Sequence, residues 1–193
     1  TTLALLWLLV QRLGNFQWKL PGGSVAAVRK LRGLVVAGIV VVVAQITLGG
    51  WTSSNYAALA CADLPTCQDK WFPEMDFSAG FNVFQQIGPK YLGGKLDNQA
   101  RTAIHFSHRV GALVTTTVLL ALIAGLVRSG ELLVMRMAVV LGAVLLVQIG
   151  LGISNVHYAL PLSVAVAHNA VGALLLLVMI TLCHRIFTVR TAC

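Results

Sequence analysis

Four long apolar runs divide the chain: about Gly33–Trp51, Ile104–Val127, Leu132–Ile153 and Leu160–Cys183. Each is near the roughly 20 residues that a helix needs to cross a bilayer core. The pattern predicts an all-α integral membrane fold, a four-helix transmembrane bundle. A shorter apolar run, Thr1–Val10, would span only about 15 Å as helix, half a bilayer core. It carries no positive n-region and no small-residue cleavage site, and the chain opens without Met. It reads as the tail of a truncated span, and the chain as the C-terminal part of a longer protein. Between the first two long runs lies Thr52–Ala103, a more polar stretch of about 50 residues, far beyond an ordinary connection. Such a loop is expected to be functional or to carry its own structure.

Composition supports the membrane reading. Of 193 residues, 58% are hydrophobic and only 10% are charged, where soluble domains carry roughly 25% charge. Mean hydropathy is +0.84 and the pI is near 9.9. A net charge of +8 would suggest nucleic acid in a soluble chain. No basic stripe with interleaved aromatics is present, so membrane lipid is the expected partner and nucleic acid is not.

The charges also orient the chain. Arg12, Lys19, Arg29, Lys30 and Arg32 crowd the segment 11–32, which has no acid. Arg128 and Arg136 flank the next turn on that side, and Arg185 and Arg190 follow the last run. In Thr52–Ala103, Lys70, Lys90, Lys95 and Arg101 are balanced by Asp63, Asp69, Glu74, Asp76 and Asp97. The positive-inside rule then places 11–32, the Arg128 turn and the C-terminus in the cytoplasm. The long loop and the turn Ser154–Ala159 lie outside. The organisation read from these patterns is the end of a truncated span at 1–10 and a cytoplasmic loop at 11–32. A four-helix domain follows at 33–184, with its outer loop at 52–103, and a cytoplasmic tail at 185–193.

Two histidines stand inside apolar runs, His108 in the second and His168 in the fourth. An ionisable side chain in a span is expensive and usually faces the bundle interior with a job to do. Both fall in the outer half of their helices, about 6 and 10 Å from the outer ends at 1.5 Å per residue. Neutral imidazole ligates metals and heme iron well, so the pair is a candidate grip on one of these.

An internal repeat frames the pair. Gln45-Ile-Thr-Leu-Gly49 ends the first run and Gln148-Ile-Gly-Leu-Gly152 ends the third. Ser54, Asn55 and Tyr56 follow one copy; Ser154, Asn155 and Tyr158 follow the other. The partner runs match more loosely: His108 precedes Gly111 by three residues and His168 precedes Gly172 by four. The unit is a helix hairpin whose returning helix bears His, and two copies make a pseudo-symmetric bundle of the kind that holds cofactors in its core.

The outer loop contains Cys61-Ala-Asp-Leu-Pro-Thr-Cys67. In an oxidising compartment this spacing reads as a local disulfide. A redox-active pair stays open, and a metal site has too few nearby ligands. Trp71, Phe72, Phe77, Phe81, Phe84 and Tyr91 suit a lid on the membrane interface, or a passive anchor there; Trp51 and Tyr56 fit the same belt. Cys183 and Cys193, on the reducing side, read as free thiols. His105 lies one turn before His108 on the same face. It reads as a residue that supports the site from behind its ligands or as a propionate partner, with ligation as its alternative. Arg109 would suit a propionate, or would snorkel to the headgroups. His157 and His184 read as ordinary interfacial residues.

Several of these stretches together resemble the heme A synthase family, of proteobacterial type. They are Leu48-Gly-Gly-Trp-Thr-Ser-Ser-Asn-Tyr-Ala-Ala-Leu-Ala-Cys61, Asp63-Leu-Pro-Thr-Cys67, Trp71-Phe-Pro-Glu-Met-Asp-Phe77, His108-Arg109 and His168-Asn169. The resemblance covers nearly the whole chain and implies the C-terminal half of an eight-span protein. It implies oxidation of the C8 methyl of heme O to the formyl of heme A, with substrate heme O held in the N-terminal half. It implies heme b in this half on axial His108 and His168, with Cys61 and Cys67 as the cysteine pair of the outer loop. In the family's catalytic half a Glu precedes its His by three residues; here that position is His105, so no catalytic residue is expected in this half. It implies a bacterial inner membrane with loop 52–103 periplasmic. Implied partners are heme O synthase and cytochrome oxidase assembly factors, with a homo-oligomer left open. Two rival readings share the helices: a membrane cytochrome b in quinone-linked electron transfer, and a cofactor-free bundle. A third is a thiol-redox protein using Cys61 and Cys67.

Overall fold

A computed structural model describes residues 2–84 and 96–192. Lys90, Tyr91, Lys95 and Cys193, named above, lie outside the described residues. Among the described residues four helices are long and apolar enough to cross a membrane: α3 (Arg32–Ser54), α5 (Asn98–Arg128), α6 (Leu132–His157) and α7 (Leu162–Thr188). Before them come α1 (Thr2–Leu13), β1 (Lys19–Leu20) and α2 (Gly22–Arg29). A single turn, α4 (Phe77–Gly80), interrupts the outer loop, and β2 (Arg190–Thr191) ends the described chain. Leu113, Val139 and Leu146 are 70%, 70% and 71% exposed. Apolar side chains this open suit lipid, not water.

The chain divides into two compact units. The first is Thr1–Val43, Val114–Gln148 and Asn169–Cys193. Val35, Leu119, Leu122, Leu126, Met179, Leu182 and Ile186 are buried in it. A Cβ on Gly38 would stand 2.6 Å from Met179 Cε, so glycine lets α3 and α7 approach closely here. Trp7 Nε1–H donates to Thr181 Oγ1 at 2.8 Å, anchoring α1 to α7. The stretch read as a loop, 11–32, is largely folded: α2 buries Val25 and Val28, and its Ser24 bonds Glu131. β1 pairs with β2 in parallel, Lys19 opposite Arg190 and Leu20 opposite Thr191. Gly130, at φ +72°, closes α5 in the left-handed conformation that glycine adopts freely. His184 is buried instead of facing the interface, and with the half-buried thiol of Cys183 it lines an open cleft beside Arg12 and Gln17.

The second unit is Ala44–Leu113 and Ile149–His168. α5 starts at Asn98, earlier than the apolar run, because Asp97 Oδ1 caps it by accepting from Ala100 N–H at 2.8 Å. Asp76 caps α4 in the same way, at 2.9 Å from Ala79 N–H. Trp51 Nε1–H donates to Gly80 O at 2.9 Å. A Cβ at Gly80 would stand 2.7 Å from Ala100 O, so only glycine admits this approach of loop to helix. Trp71, Phe72 and Phe84 are exposed, as an interfacial belt requires.

The two Gln-motif helices end alike. Ala57 N–H donates to Thr52 O and Tyr56 N–H to Ser53 O; Leu160 N–H donates to Asn155 O and Ala159 N–H to Val156 O. Both are Schellman ends, with Tyr56 and Ala159 left-handed at φ 53°. One offset of 103 residues relates Gln45 to Gln148, Gly49 to Gly152 and Tyr56 to Ala159. The Ser, Asn and Tyr residues that follow each motif are out of step with this register, so they are not equivalent.

Candidate functional site

His108 on α5 and His168 on α7 are both half-buried in the second unit. Each ring rests on the glycine of the Gln motif. A Cβ on Gly49 of α3 would stand 3.2 Å from His108 Cε1, and a Cβ on Gly152 of α6 would stand 3.2 Å from His168 Cε1. The repeat read in the sequence is thus a repeated contact. Gln45 adds a second hold: its Nε2 donates to His108 O at 3.0 Å and lies 3.1 Å from His108 Nδ1.

His105 and Arg109 belong to the outer loop. His105 is 4% exposed, and its Nδ1 lies 3.3 Å from the N–H of Cys61. Arg109 Nε lies 3.3 Å from His105 Nε2. A neutral imidazole has one lone-pair nitrogen, so His105 accepts from one of these donors at a time. Arg109 also donates from Nη1 to Thr66 O at 2.7 Å, and from Nη2 to Cys61 O at 2.6 Å and Asp63 O at 2.8 Å. The guanidinium is caged by loop carbonyls. That use was invisible in the sequence, because a carbonyl acceptor has no residue identity.

Cys61 and Cys67 form a disulfide and both are buried. Among the described residues no group of three or more His, Cys, Asp or Glu gathers as a metal cage would need. Cys67 and Lys70 bridge across a tight turn whose central residues, Gln68 and Asp69, have φ 55° and 59°. Positive φ at both positions is the type I′ geometry of short hairpins. The Asp63 carboxylate pins that turn, accepting from Gln68 N–H at 2.7 Å and Asp69 N–H at 3.0 Å, and from Thr66 Oγ1 at 2.5 Å. These hydrogen bonds, that of Thr66 foremost, hold the Asp63 carboxyl down at about 2. Gln68 Nε2 ties the turn to α5 through Thr102 Oγ1 at 2.8 Å.

Apolar helices long enough to span, and a disulfide-stapled loop between two of them, define a helical membrane protein. Residues 1–180 match COX15-CtaA, a family of cytochrome oxidase assembly proteins. The chain belongs to that family, as the resemblance to heme A synthases implied. It is 43% identical over 159 residues to the heme A synthase of Shewanella oneidensis, covering 82% of this chain and 48% of that protein. It is 28% identical over 151 residues to the heme A synthase of Rhizorhabdus wittichii, covering 78% and 40%. The heme A synthase of Rickettsia prowazekii is 28% identical over 149 residues, covering 77% and 41%. The chain spans about half the length of the curated relatives it matches. No solved structure matches it.

Proposed function

We propose that this chain is the heme b-binding, electron-relay half of a heme A synthase, which oxidises the C8 methyl of heme O to the formyl of heme A for cytochrome oxidase assembly. The observation that carries the reading is that His108 and His168 lie in one unit, each seated on the motif glycine of the preceding long helix. The names of the relatives support the reaction.

The donor set suits the group. Two neutral imidazoles ligate heme iron well, and bare backbone at Gly49 and Gly152 keeps both rings flush against their helices. Heme held by both imidazoles would supply one-electron transfer. His108 and His168 would hold the iron, and the surrounding apolar helices would keep the site dry. His105 is buried beneath the disulfide loop, and no residue of this chain is assigned the oxidation itself. Substrate heme O is assigned to the part of the enzyme outside this chain. Heme O synthase and oxidase assembly factors are its proposed partners. The cation-rich first unit and the disulfide loop support a bacterial inner membrane with the C-terminus cytoplasmic and loop 52–103 periplasmic.

The test is a reduced-minus-oxidised spectrum with pyridine hemochrome on the full-length protein that contains this chain. Low-spin heme b is expected with heme O or A beside it. His108→Ala and His168→Ala each lose the low-spin band, and Cys61→Ser keeps it. An unchanged band in both histidine variants refutes the assignment. Heme b with neither O nor A points instead to a plain membrane cytochrome b.

A further inference from the structure

Gln45 is an amide inside an apolar span, where a polar group is expensive unless hydrogen-bonded. Its nitrogen is well used, donating to His108 O at 3.0 Å and standing 3.1 Å from His108 Nδ1. Its oxygen is buried with no hydrogen-bond partner among the described residues. In this arrangement Nδ1 accepts and the ring proton sits on Nε2. A ring in that tautomer cannot ligate through Nε2. Ligation there needs the proton on Nδ1, and Nδ1–H then needs an acceptor.

We propose that Gln45 is a positioning residue for His108: in the heme-loaded protein its amide oxygen accepts from Nδ1–H, fixing the ring and its strength as a ligand. The inference rests on His108 being an axial ligand. The acceptor required is the buried oxygen that now lacks a donor. The two ends of an amide are nearly the same size, so turning the group exchanges them in place. Gly111 provides the notch, because a Cβ there would overlap Gln45 Oε1. The second half builds the same notch, with Gln148 Nε2 3.3 Å from where a Cβ on Gly172 would stand. A hydrogen bond to the far nitrogen of a ligating histidine makes it more basic, which favours the oxidised metal.

The test is redox potentiometry and electron paramagnetic resonance on the heme-loaded full chain carrying Gln45→Glu or Gln45→Leu. Gln45→Glu offers a stronger acceptor and lowers the midpoint potential. Gln45→Leu offers none and raises it. Both keep a low-spin signal with shifted g values. Unchanged potentials, or shifts in the same direction in both variants, overturn the inference. If Gln45→Leu fails to fold, the isosteric Gln45→Glu carries the test alone: a lowered potential supports the inference and any other result ends it. His108→Ala tests the underlying reading separately, because retention of the low-spin signal there removes His108 as a ligand whatever Gln45 does.

Discussion

Arg109 Nη2 donates to the carbonyl oxygen of Cys61 at 2.6 Å, so the residue beside His108 grips the first cysteine of the stapled loop. With Asp63 O and Thr66 O also held, one side chain organises most of the turn between the two sulfurs. The helix that carries the candidate ligand and the loop outside it are built as one piece.

Arg109→Lys removes the planar fork that reaches three carbonyls at once. Charged hydrogen bonds contribute about 1.5–3 kcal/mol each and are not additive, so a loss of about 3 kcal/mol is expected. Faster hydrogen exchange across Cys61–Lys70 checks it. Exchange equal to that of the parent protein would show that Arg109 does not hold the loop.

Asp63 makes the loop acid-sensitive. Its carboxyl is held at about 2, below the ordinary 3.8, so the stabilisation is fully present above 3.8 and is lost as pH falls through about 2. Trp71 fluorescence, followed from pH 5 to pH 2, should report loosening in that window. Asp63→Asn should abolish the transition.

Gly49→Ala and Gly152→Ala push a methyl against a histidine ring at 3.2 Å. Overpacking of this kind costs about 1–3 kcal/mol. Lower low-spin heme content is expected in both. Gly50→Ala and Gly150→Ala are matched controls, since nothing lies within 4 Å of either new methyl. Equal heme loss in all four would mean that the effect comes from the helices and not from the rings.

Cys61→Ser opens a short loop and should reduce stability by about 2 kcal/mol while leaving heme bound. Thermal melting alongside the heme spectrum separates the two effects. Loss of heme at full stability would argue for a closer role of the sulfurs.

The spans were legible because lipid-facing helices are written as unbroken apolar runs. Their ends were less so: Asp97 draws α5 outward through a polar turn that hydropathy discounts. The motif glycines marked the repeat, yet their contact with the histidines needed the fold. The false extension of the repeat through Ser154, Asn155 and Tyr158 arose because these residue types are common at any helix exit. Folded structure in 11–32 is masked in the sequence because charges dominate its composition, while its apolar anchors, Trp18, Leu20, Val25 and Val28, are scattered among them.

The parallel pairing of Lys19–Leu20 with Arg190–Thr191 has a consequence for the order of assembly. β1 is made before the four long helices and finds its partner only after every one of them has been made and inserted. Contacts of such separation form last. The clasp is therefore a terminal latch, and a chain stalled before Arg190 would leave β1 as an unpaired edge on an otherwise inserted protein.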